Sequence, residues 1–144
     1  MAPQSAAGPA AADQAVPAKE TTGDTGTETG ASLDQITPDE FFRADIRVGL
    51  VLRAEEFPEA RNPSYKLWID LGELGTRTSS AQLTKLYEPI DLVGRLVIAV
   101  VNFPPRRIAG FASQVLVLGV PAGSRAKVAL IQPDRHVPPG TQIF

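Results

Sequence analysis

The sequence predicts an all-β fold, and two observations support this. Short runs of alternating apolar and polar residues recur at intervals of roughly ten residues, and proline, glycine or asparagine separates most of them. One short helical stretch interrupts the pattern, after the third run. The OB-fold, a five-stranded Greek-key barrel, is the economical way to arrange strands of this spacing, here with short helices and additional C-terminal strands.

Composition divides the chain of 144 residues into two parts. Residues 1–33 are rich in Ala, Gly, Thr and Pro, contain no aromatic residue, and carry a net charge of −3 from four acids and one base. Such a segment buries too little apolar surface to offset the entropy of ordering it, which predicts a disordered acidic tail. Residues 34–144, with 13 basic and 12 acidic side chains, are predicted to form one domain. Because this domain is nearly neutral, a nucleic-acid site must be a local basic patch.

The residue content argues against several classes of function. The chain has no cysteine, which excludes disulfides and thiolate sites, and its single histidine, His136, lies in a Pro-rich segment. No pair of carboxylates, or of carboxylate and histidine, forms a catalytic motif, so we predict no enzymatic activity, catalytic residue, metal site or cofactor. The N-terminus does not resemble a signal peptide, and no apolar run approaches the roughly 18 residues of a membrane span. A soluble cytoplasmic protein without membrane insertion is therefore expected.

The first elements of the domain follow from a capping motif and an alternating run. Thr37, Pro38 and Glu40 have the spacing of a capping box, with Thr37 as the N-cap of a short helix. From Asp45 onwards the period is two, which predicts a half-buried strand. One face of this strand is predicted to carry Ile46, Val48, Leu50 and Leu52, and the other Arg47, Gly49, Val51 and Arg53.

The remaining elements follow from the same periodicity. Alternation predicts a second strand whose inward residues are Tyr65, Leu67, Ile69 and Leu71. The segment TRTSSAQLTKLY predicts a third strand that runs into a helical turn, with Ser80 as the cap before Gln82. EPIDLVG is interpreted as a connection. The apolar run from Leu96 to Val101 predicts a fourth strand buried on both faces, followed by a fifth at Val115 to Leu118, a sixth in KVALIQP, and a last extended segment, PPGTQIF.

The segment NFPPRRIAGF, residues 102–111, places two prolines and two arginines between apolar strands. Pro104 and Pro105 fix φ and remove two backbone donors, so the fourth strand must end there and the loop that follows is stiff. Arg106 and Arg107 are then held in place, and guanidinium groups bind phosphate and stack on bases. A solvated hairpin loop whose arginines pair with Asp or Glu is the alternative.

Two further clusters supply polar donors. RTSSAQLTK places such donors at a corner of the barrel, where they can bind phosphate, ribose or base edges; alternatively, Gln82 and Lys85 only face solvent. Another cluster surrounds the loop between the first two strands, which commonly frames an OB-fold ligand site. Trp68 and Tyr65 are candidates for base stacking, although core packing is the commoner role. The predicted RNA-binding residues are Arg61, Lys66, Arg77, Ser79, Ser80, Gln82, Lys85, Asn102, Arg106 and Arg107.

Three segments resemble a known family. DIRVGLVLRAEEFPEARNPSYKLWIDLG, SSAQLTKLY and VIAVVNFPPRRIAGFASQVLVLG are similar to the CsaA proteins, relatives of the tRNA-binding domain at the end of some methionyl-tRNA synthetases. The resemblance implies an OB-fold homodimer that binds tRNA, and a chaperone or export-related activity on unfolded proteins. Family members generally have glutamate where this chain has Gln114. By resemblance, the ligand surface comprises Ser79, Ser80, Gln82, Lys85, Asn102, Arg106 and Arg107.

Two functions therefore remain open. The first is binding of tRNA or other structured RNA by its shape, through phosphate and ribose contacts. The second is a peptide-binding chaperone or export factor for unfolded or pre-export polypeptides, with RNA binding incidental. Its predicted contacts are Phe103, Ile108 and Phe111, for which core packing is the alternative role. A basic rim around an apolar floor suits both ligands.

Overall fold

The computed structural model describes residues 33–144. The predicted acidic tail, apart from Leu33, lies outside the described residues. The chain divides into two units, Met1–Ala44 and Asp45–Phe144. The domain start at residue 34 stays a prediction.

The described part of the first unit contains one helix, α1 (Pro38–Phe41). The Thr37 hydroxyl accepts a hydrogen bond of 3.1 Å from the backbone nitrogen of Glu40, and the Thr37 backbone nitrogen donates to the Glu40 carboxylate at 2.7 Å. These reciprocal bonds satisfy two backbone donors that a helix start otherwise leaves unpaired. The predicted capping box is confirmed.

The second unit consists mainly of short strands. In chain order they are β1 (Ile46–Glu56), β2 (Tyr65–Asp70), β3 (Thr76–Ala81), β4 (Leu96–Val100), β5 (Arg106–Ile108), β6 (Phe111–Ser113), β7 (Leu116–Val117), β8 (Gly119–Pro121) and β9 (Val128–Leu130). A 3₁₀ turn (Gly72–Leu74) separates β2 from β3, and a short helix, α2 (Pro89–Leu92), precedes β4. Outside the main sheet, β5 pairs with β6 and β8 pairs with β9.

The main sheet has five antiparallel strands in the order β3-β2-β1-β4-β7. Its two edges nearly meet, because the backbone nitrogens of Gln114 and Val115, just before β7, donate to the carbonyl oxygen of Thr78 in β3 at 2.7 and 3.3 Å. The sheet therefore forms a nearly closed barrel. The predicted OB-fold with short helices and additional C-terminal strands is confirmed.

The core lies inside this barrel. The predicted inward residues of β2 and the position directly after it are buried: Tyr65, Leu67, Ile69 and Leu71. They pack against Val51 of β1, Val97 of β4 and Leu92 of α2, among others. At Gly49 a β-carbon would collide with the side chain of Ile69, so β1 approaches β2 this closely only because that position is glycine.

Two predictions about β1 are wrong. The sequence pattern places Val51 on the polar face and Leu52 on the core face, whereas Val51 is 1% exposed and Leu52 is 46% exposed. The pairing of β1 with β2 contains a register shift between Val51 and Arg53. A bulge re-aims the side chains at and after it, which accounts for Leu52. Val51 precedes the shift and lies opposite Ile69; it is buried because the face that it shares with Gly49 is turned to the barrel core. Ile46 and Val48 are buried as predicted, so both faces of this part of β1 are covered.

The segment after β3 also differs from the prediction. Ser80 lies within β3, opposite Lys66 of β2, and is not a helix cap. The chain then makes a single turn, in which the backbone nitrogen of Tyr87 donates to the carbonyl oxygen of Leu83 at 3.2 Å. One hydrogen bond does not extend into a helix.

A short helix occurs instead in EPIDLVG, a segment predicted to be a connection. Glu88 and Asp91 form a reciprocal capping box, and Pro89 occupies the first helical position of α2. The Glu88 backbone nitrogen donates to the Asp91 carboxylate at 2.9 Å. Glutamate is an unusual N-cap, which explains why the motif is easily missed.

The C-terminal half largely follows the predicted strand order. Four of the five residues of β4 are buried, as expected for a strand covered on both faces. The predicted fifth strand is reduced to β7, and the strand in KVALIQP corresponds to β9. The last segment is extended and pairs with β1, since the Ile143 backbone nitrogen donates to the Ile46 carbonyl at 2.9 Å and the Gly140 nitrogen to the Val48 carbonyl at 2.7 Å.

A polar cluster holds this last segment against β1. The Arg47 Nε and the Asp45 carboxylate form an ion pair of 2.8 Å, and Gln142 Nε2 donates to the same carboxylate at 3.2 Å. The hydrogen bond from Arg47 is the main reason that the pKa of Asp45 lies below its ordinary value. The first and last segments of the barrel are thus joined by charge as well as by backbone pairing.

Candidate nucleic-acid interface

Most of the segment NFPPRRIAGF belongs to a hairpin. β4 ends at Val100 and β5 begins at Arg106, so Pro104 and Pro105 lie between the strands, as the loss of their donors predicts. β5 and β6 are joined by a two-residue turn at Ala109 and Gly110, whose φ values of 48° and 84° are both positive, as in a type I′ turn. The two arginines are therefore held on a strand, and the predicted stiff loop is confined to the residues before it.

Arg106 and Arg107 lie on opposite faces of this hairpin. Arg106 is opposite Ser113, and Ile108 is opposite Phe111. Because paired and alternate residues share a face, these four side chains lie together and Arg107 lies on the reverse. Within residues 33–144 neither arginine pairs with a carboxylate; Arg107 Nη1 donates to the Gly110 carbonyl oxygen at 2.6 Å.

Hydrogen bonds connect the hairpin to the outer surface of the barrel. The Ser80 backbone nitrogen donates to the Ser113 hydroxyl at 3.0 Å, and the Thr78 hydroxyl donates to the Ala112 carbonyl oxygen at 2.7 Å. Ser80 is in turn opposite Lys66. Arg106, Ser113, Ser80 and Lys66 thus form one row across four strands, about 14 Å long at ordinary strand spacing.

Lys66 lies against two aromatic rings in this row. Its Nζ is 4.8 Å from the centroid of the Phe57 ring and 5.3 Å from that of Phe111. The rings themselves are 5.5 Å apart in an edge-to-face arrangement. Phe111 therefore fixes the hairpin against the loop after β1, and the ammonium group is positioned at a defined point of the surface.

A second cation and aromatic pair lies beside Lys66. The Arg53 guanidinium carbon is 4.5 Å from the centroid of the Trp68 ring, and Arg53 also pairs with the Glu55 carboxylate. Arg53 is opposite Trp68, and Glu55 is opposite Lys66. Trp68 is a predicted candidate for base stacking, whereas Arg53 is not among the predicted site residues. The bulge in β1 puts Arg53 on this face, and a period-two pattern does not reveal a bulge.

We call this surface the hairpin face and define it by Arg53, Lys66, Trp68, Ser80, Phe111 and Arg106. It contains three cations; the Glu55 carboxylate pairs with one of them, Arg53, and Asp70 follows Trp68 by two residues on the same face of β2. A local basic patch on a nearly neutral domain can attract phosphates. Oligonucleotides, which OB-folds commonly bind, carry such phosphates.

Comparison with known proteins identifies the family. Residues 46–142 match the family model described as "Putative tRNA binding domain". The chain belongs to this family. This family is of the tRNA-binding and CsaA type and is not a catalytic family, although the methionyl-tRNA synthetases that contain a related domain are enzymes. The resemblance to CsaA proteins and to the tRNA-binding domain of methionyl-tRNA synthetases is confirmed.

Solved structures and curated relatives agree with this assignment. The crystal structure of chaperone CsaA from Bacillus anthracis is 50% identical, with a TM-score of 0.72, over 77% of this chain and 100% of that chain. The CsaA chaperone protein from Picrophilus torridus is 45% identical, with a TM-score of 0.71, over 76% of this chain and all of its own. The methionine–tRNA ligase of Thermococcus kodakarensis is 34% identical over 114 residues, which make up 79% of this chain and 15% of the ligase. The chain thus spans less than a fifth of the length of that enzyme.

Three of the predicted site residues lie away from the hairpin face or are engaged elsewhere. Ser79 is 1% exposed, and its hydroxyl donates to the Val115 carbonyl oxygen at 2.8 Å. Asn102 Oδ1 accepts a hydrogen bond of 2.9 Å from the backbone nitrogen of Asp45. Arg77 shares the strand face of Ser79, and its Nε donates to the Leu74 carbonyl oxygen at 3.3 Å. We leave these three out of the hairpin face.

Other predicted residues lie beyond the end of β3. Gln82 and Lys85 are exposed in the turn that follows it. Arg61 lies in the exposed loop between β1 and β2, where it lines a cleft of about 430 Å³ together with Thr84. Tyr65 also lines this cleft, but it is buried and its hydroxyl donates to the Tyr87 carbonyl oxygen at 2.8 Å.

The three predicted peptide contacts are not equivalent. Phe111 packs against Phe57 and Trp68, at centroid distances of 5.5 and 5.9 Å. Ile108 is half-buried, and Phe103 is 51% exposed. Only Phe103 therefore presents most of an apolar side chain to solvent.

Gln114, where this chain departs from the CsaA pattern, lies at the seam of the barrel. Its Oε1 accepts a hydrogen bond of 2.9 Å from the backbone nitrogen of Thr78 and lies 3.0 Å from the Thr78 hydroxyl oxygen, whose proton is donated to the Ala112 carbonyl oxygen. A glutamate carboxylate would accept the same backbone bond. Glutamine thus preserves the seam and removes one negative charge beside the hairpin.

Two further observations concern the described residues as a whole. In residues 33–144 no group of three or more His, Asp or Glu side chains is placed to hold a metal ion. No helix in that range is long and apolar enough to span a membrane.

His136 is exposed and lines a cleft of about 430 Å³ that also includes Arg95, Asp134 and Arg135.

Proposed function

We propose that this chain binds tRNA or another structured RNA through the hairpin face. The observation that carries the proposal is the row from Arg106 through Ser113 and Ser80 to Lys66. This row places two cations at opposite ends of a polar strip, with serine groups between them. Phosphate and ribose contacts of this kind position RNA without reading its sequence.

Arg61, Gln82 and Lys85 extend the proposed surface beyond the end of β3. All three are exposed, and a folded RNA is large enough to contact both areas. Recognition of the RNA by its shape then depends on several weak phosphate contacts. Arg107 supplies a secondary phosphate contact from the reverse of the hairpin. Since tRNA is the proposed ligand, the cytoplasm is the proposed location.

The test is equilibrium binding of total tRNA to the wild-type chain over a range of salt concentrations. Neutralisation of phosphates predicts that log affinity falls linearly with log salt, at roughly 0.7 to 0.9 per phosphate contact. Lys66→Ala should weaken binding and reduce that slope by about one contact. Affinity that does not change with salt would refute the proposal.

As a second function, we propose that the chain is a chaperone or export factor that binds unfolded polypeptides. RNA binding would then be incidental. Two of the similar solved structures are described as chaperones, and Phe103 exposes half of its side chain next to the arginines. The test is light scattering by an aggregating unfolded client at stoichiometric protein. Wild type should slow aggregation and Phe103→Ser should slow it less; a wild type without effect removes this function.

We also propose that the chain acts as a homodimer, as its resemblance to CsaA implies. Val120, Ile131 and Phe144 are exposed apolar side chains of the C-terminal region, and such residues commonly mark a contact with a partner. Doubling the hairpin face would let two weak RNA contacts reinforce each other. Light scattering coupled to size exclusion measures the mass directly.

A further inference from the structure

The chain has one tryptophan, Trp68, and the hairpin face is built around it. Trp68 is half-buried on the outer side of β2. The Phe111 ring meets it edge to face, at 5.9 Å and an interplanar angle of 69°. The Arg53 guanidinium lies over the indole ring at 4.5 Å. The indole is therefore fixed by one aromatic neighbour and carries a planar cation.

Arg53 is held in place from two sides. Glu55, two residues further along the same face of β1, pairs with one guanidinium nitrogen, and the indole attracts the cation through its π electrons. The Arg53 side chain nevertheless remains 62% exposed. The guanidinium group is thus oriented in advance while its outer side stays open to solvent.

The arrangement contributes little to folding. An exposed ion pair and an exposed cation–π contact each add little to the stability of a fold. The barrel core, by contrast, is formed by residues on the inner side of the same strands. A planar, oriented and exposed guanidinium matches the surface on which proteins stack unpaired bases.

We propose that an unpaired RNA base stacks on the outer side of the Arg53 guanidinium, so that indole, guanidinium and base form three layers. The proposal rests on the RNA-binding function above and adds to it a single-stranded segment as the recognised part of the RNA. Lys66 lies two residues from Trp68 on β2, about 7 Å along the strand. The phosphate attached to the stacked base then lies within reach of the Lys66 ammonium group.

The decisive variant is Arg53→Lys, because lysine keeps the charge and loses the planar stacking surface. The probe is a fluorescently labelled, single-stranded oligoribonucleotide of mixed sequence, titrated at several salt concentrations. Arg53→Lys should bind it at least about fivefold more weakly than wild type. The slope of log affinity against log salt should stay the same, because the number of cations is unchanged. Arg125→Lys, at an exposed arginine in the turn between β8 and β9, is the matched control and should bind like wild type.

Emission from the single tryptophan gives an independent readout. The oligoribonucleotide should change Trp68 fluorescence, whereas inorganic polyphosphate, a polyanion without bases, should not. Equal changes with both probes, or an Arg53→Lys variant within twofold of wild type, would overturn the stacking proposal. If the wild type still binds tRNA in a salt-dependent way in that case, the proposed RNA-binding function stands and only the base stacking is refuted. If the wild type binds neither tRNA nor the oligoribonucleotide, both proposals are refuted.

Discussion

Asn102 Oδ1 accepts a hydrogen bond from the backbone nitrogen of Asp45 at 2.9 Å. One residue earlier, the Val101 backbone nitrogen donates to the Asp45 carbonyl oxygen at 2.8 Å. The exit of β4 is thereby joined to the entry of β1. The asparagine of NFPPRRIAGF, a predicted ligand contact, thus accepts a hydrogen bond that links these two strand ends.

Replacing Asn102 should therefore affect stability more than binding. Asn102→Ala should lower the free energy of unfolding by about 1 kcal/mol, because the Asp45 nitrogen loses its acceptor. Urea unfolding measures this change. Asn62→Ala, in the exposed loop between β1 and β2, should stay within about 0.5 kcal/mol of wild type. A fully stable Asn102→Ala variant that no longer binds tRNA would restore the ligand role.

Ser79 provides a similar separation of stability from binding. Its hydroxyl is buried and donates to the Val115 carbonyl oxygen. Ser79→Ala should lower the free energy of unfolding by about 1 kcal/mol, while the folded variant binds tRNA with unchanged affinity. Thermal unfolding and tRNA titration of the same preparation check both parts. A loss of affinity without a loss of stability would mean that Ser79 contacts the ligand.

The Asp45 and Arg47 ion pair predicts a dependence of stability on pH. The pKa of Asp45 is lowered, chiefly by the hydrogen bond from Arg47. The carboxylate therefore stabilises the fold above the ordinary aspartate pKa of about 4, and this contribution is lost as the pH falls below about 4. Wild type should be more stable than Asp45→Asn at pH 6, and the difference should shrink as the pH approaches 3. A difference that is constant from pH 6 to pH 3 would contradict the ionic contribution.

The hairpin turn allows a matched pair of substitutions. Ala109 has a φ of 48°, a left-handed conformation that is costly for alanine and free for glycine. Ala109→Gly should raise the melting temperature or leave it unchanged. Gly110→Ala should lower it, because φ is 84° there and space for a β-carbon is available, so that only backbone strain is tested. The opposite order of melting temperatures would mean that the turn adopts another conformation in solution.

The sequence predicts the barrel well where a strand is regular. The inward face of β2 follows from alternation alone, and the capping box of α1 follows from Thr37 and Glu40 because both interactions are local. Leu52 is misassigned because the bulge depends on how β1 pairs with β2, and Val51 because both faces of the first part of β1 are buried. The hairpin of β5 and β6 is missed as regular structure because its strands have three residues each and its turn, Ala-Gly, lacks the usual Asn-Gly signal.

The candidate site could be predicted only in part from the sequence. Lys66 and Arg106 follow from residue type, but their alignment in one row depends on strand register and on the bond from Ser80 to Ser113. The same applies to Arg53 over Trp68, which are 15 positions apart in the numbering and adjacent in the sheet. Tertiary pairing brings such residues together, and no local pattern reveals it.

The measurement that tests the central claim most directly compares tRNA affinity in three single variants at two salt concentrations, with the fold of each checked by circular dichroism. Arg106→Ala removes a cation of the hairpin face, Arg107→Ala removes one from the reverse of the hairpin, and Arg125→Ala removes an exposed one from the turn between β8 and β9. We predict that Arg106→Ala causes the largest loss of tRNA affinity and lowers the slope of log affinity against log salt by about 0.7 to 0.9. Arg107→Ala should cause a smaller loss of affinity. Arg125→Ala should bind tRNA like wild type. Equal affinity of Arg106→Ala and wild type would contradict the assignment of RNA binding to the hairpin face.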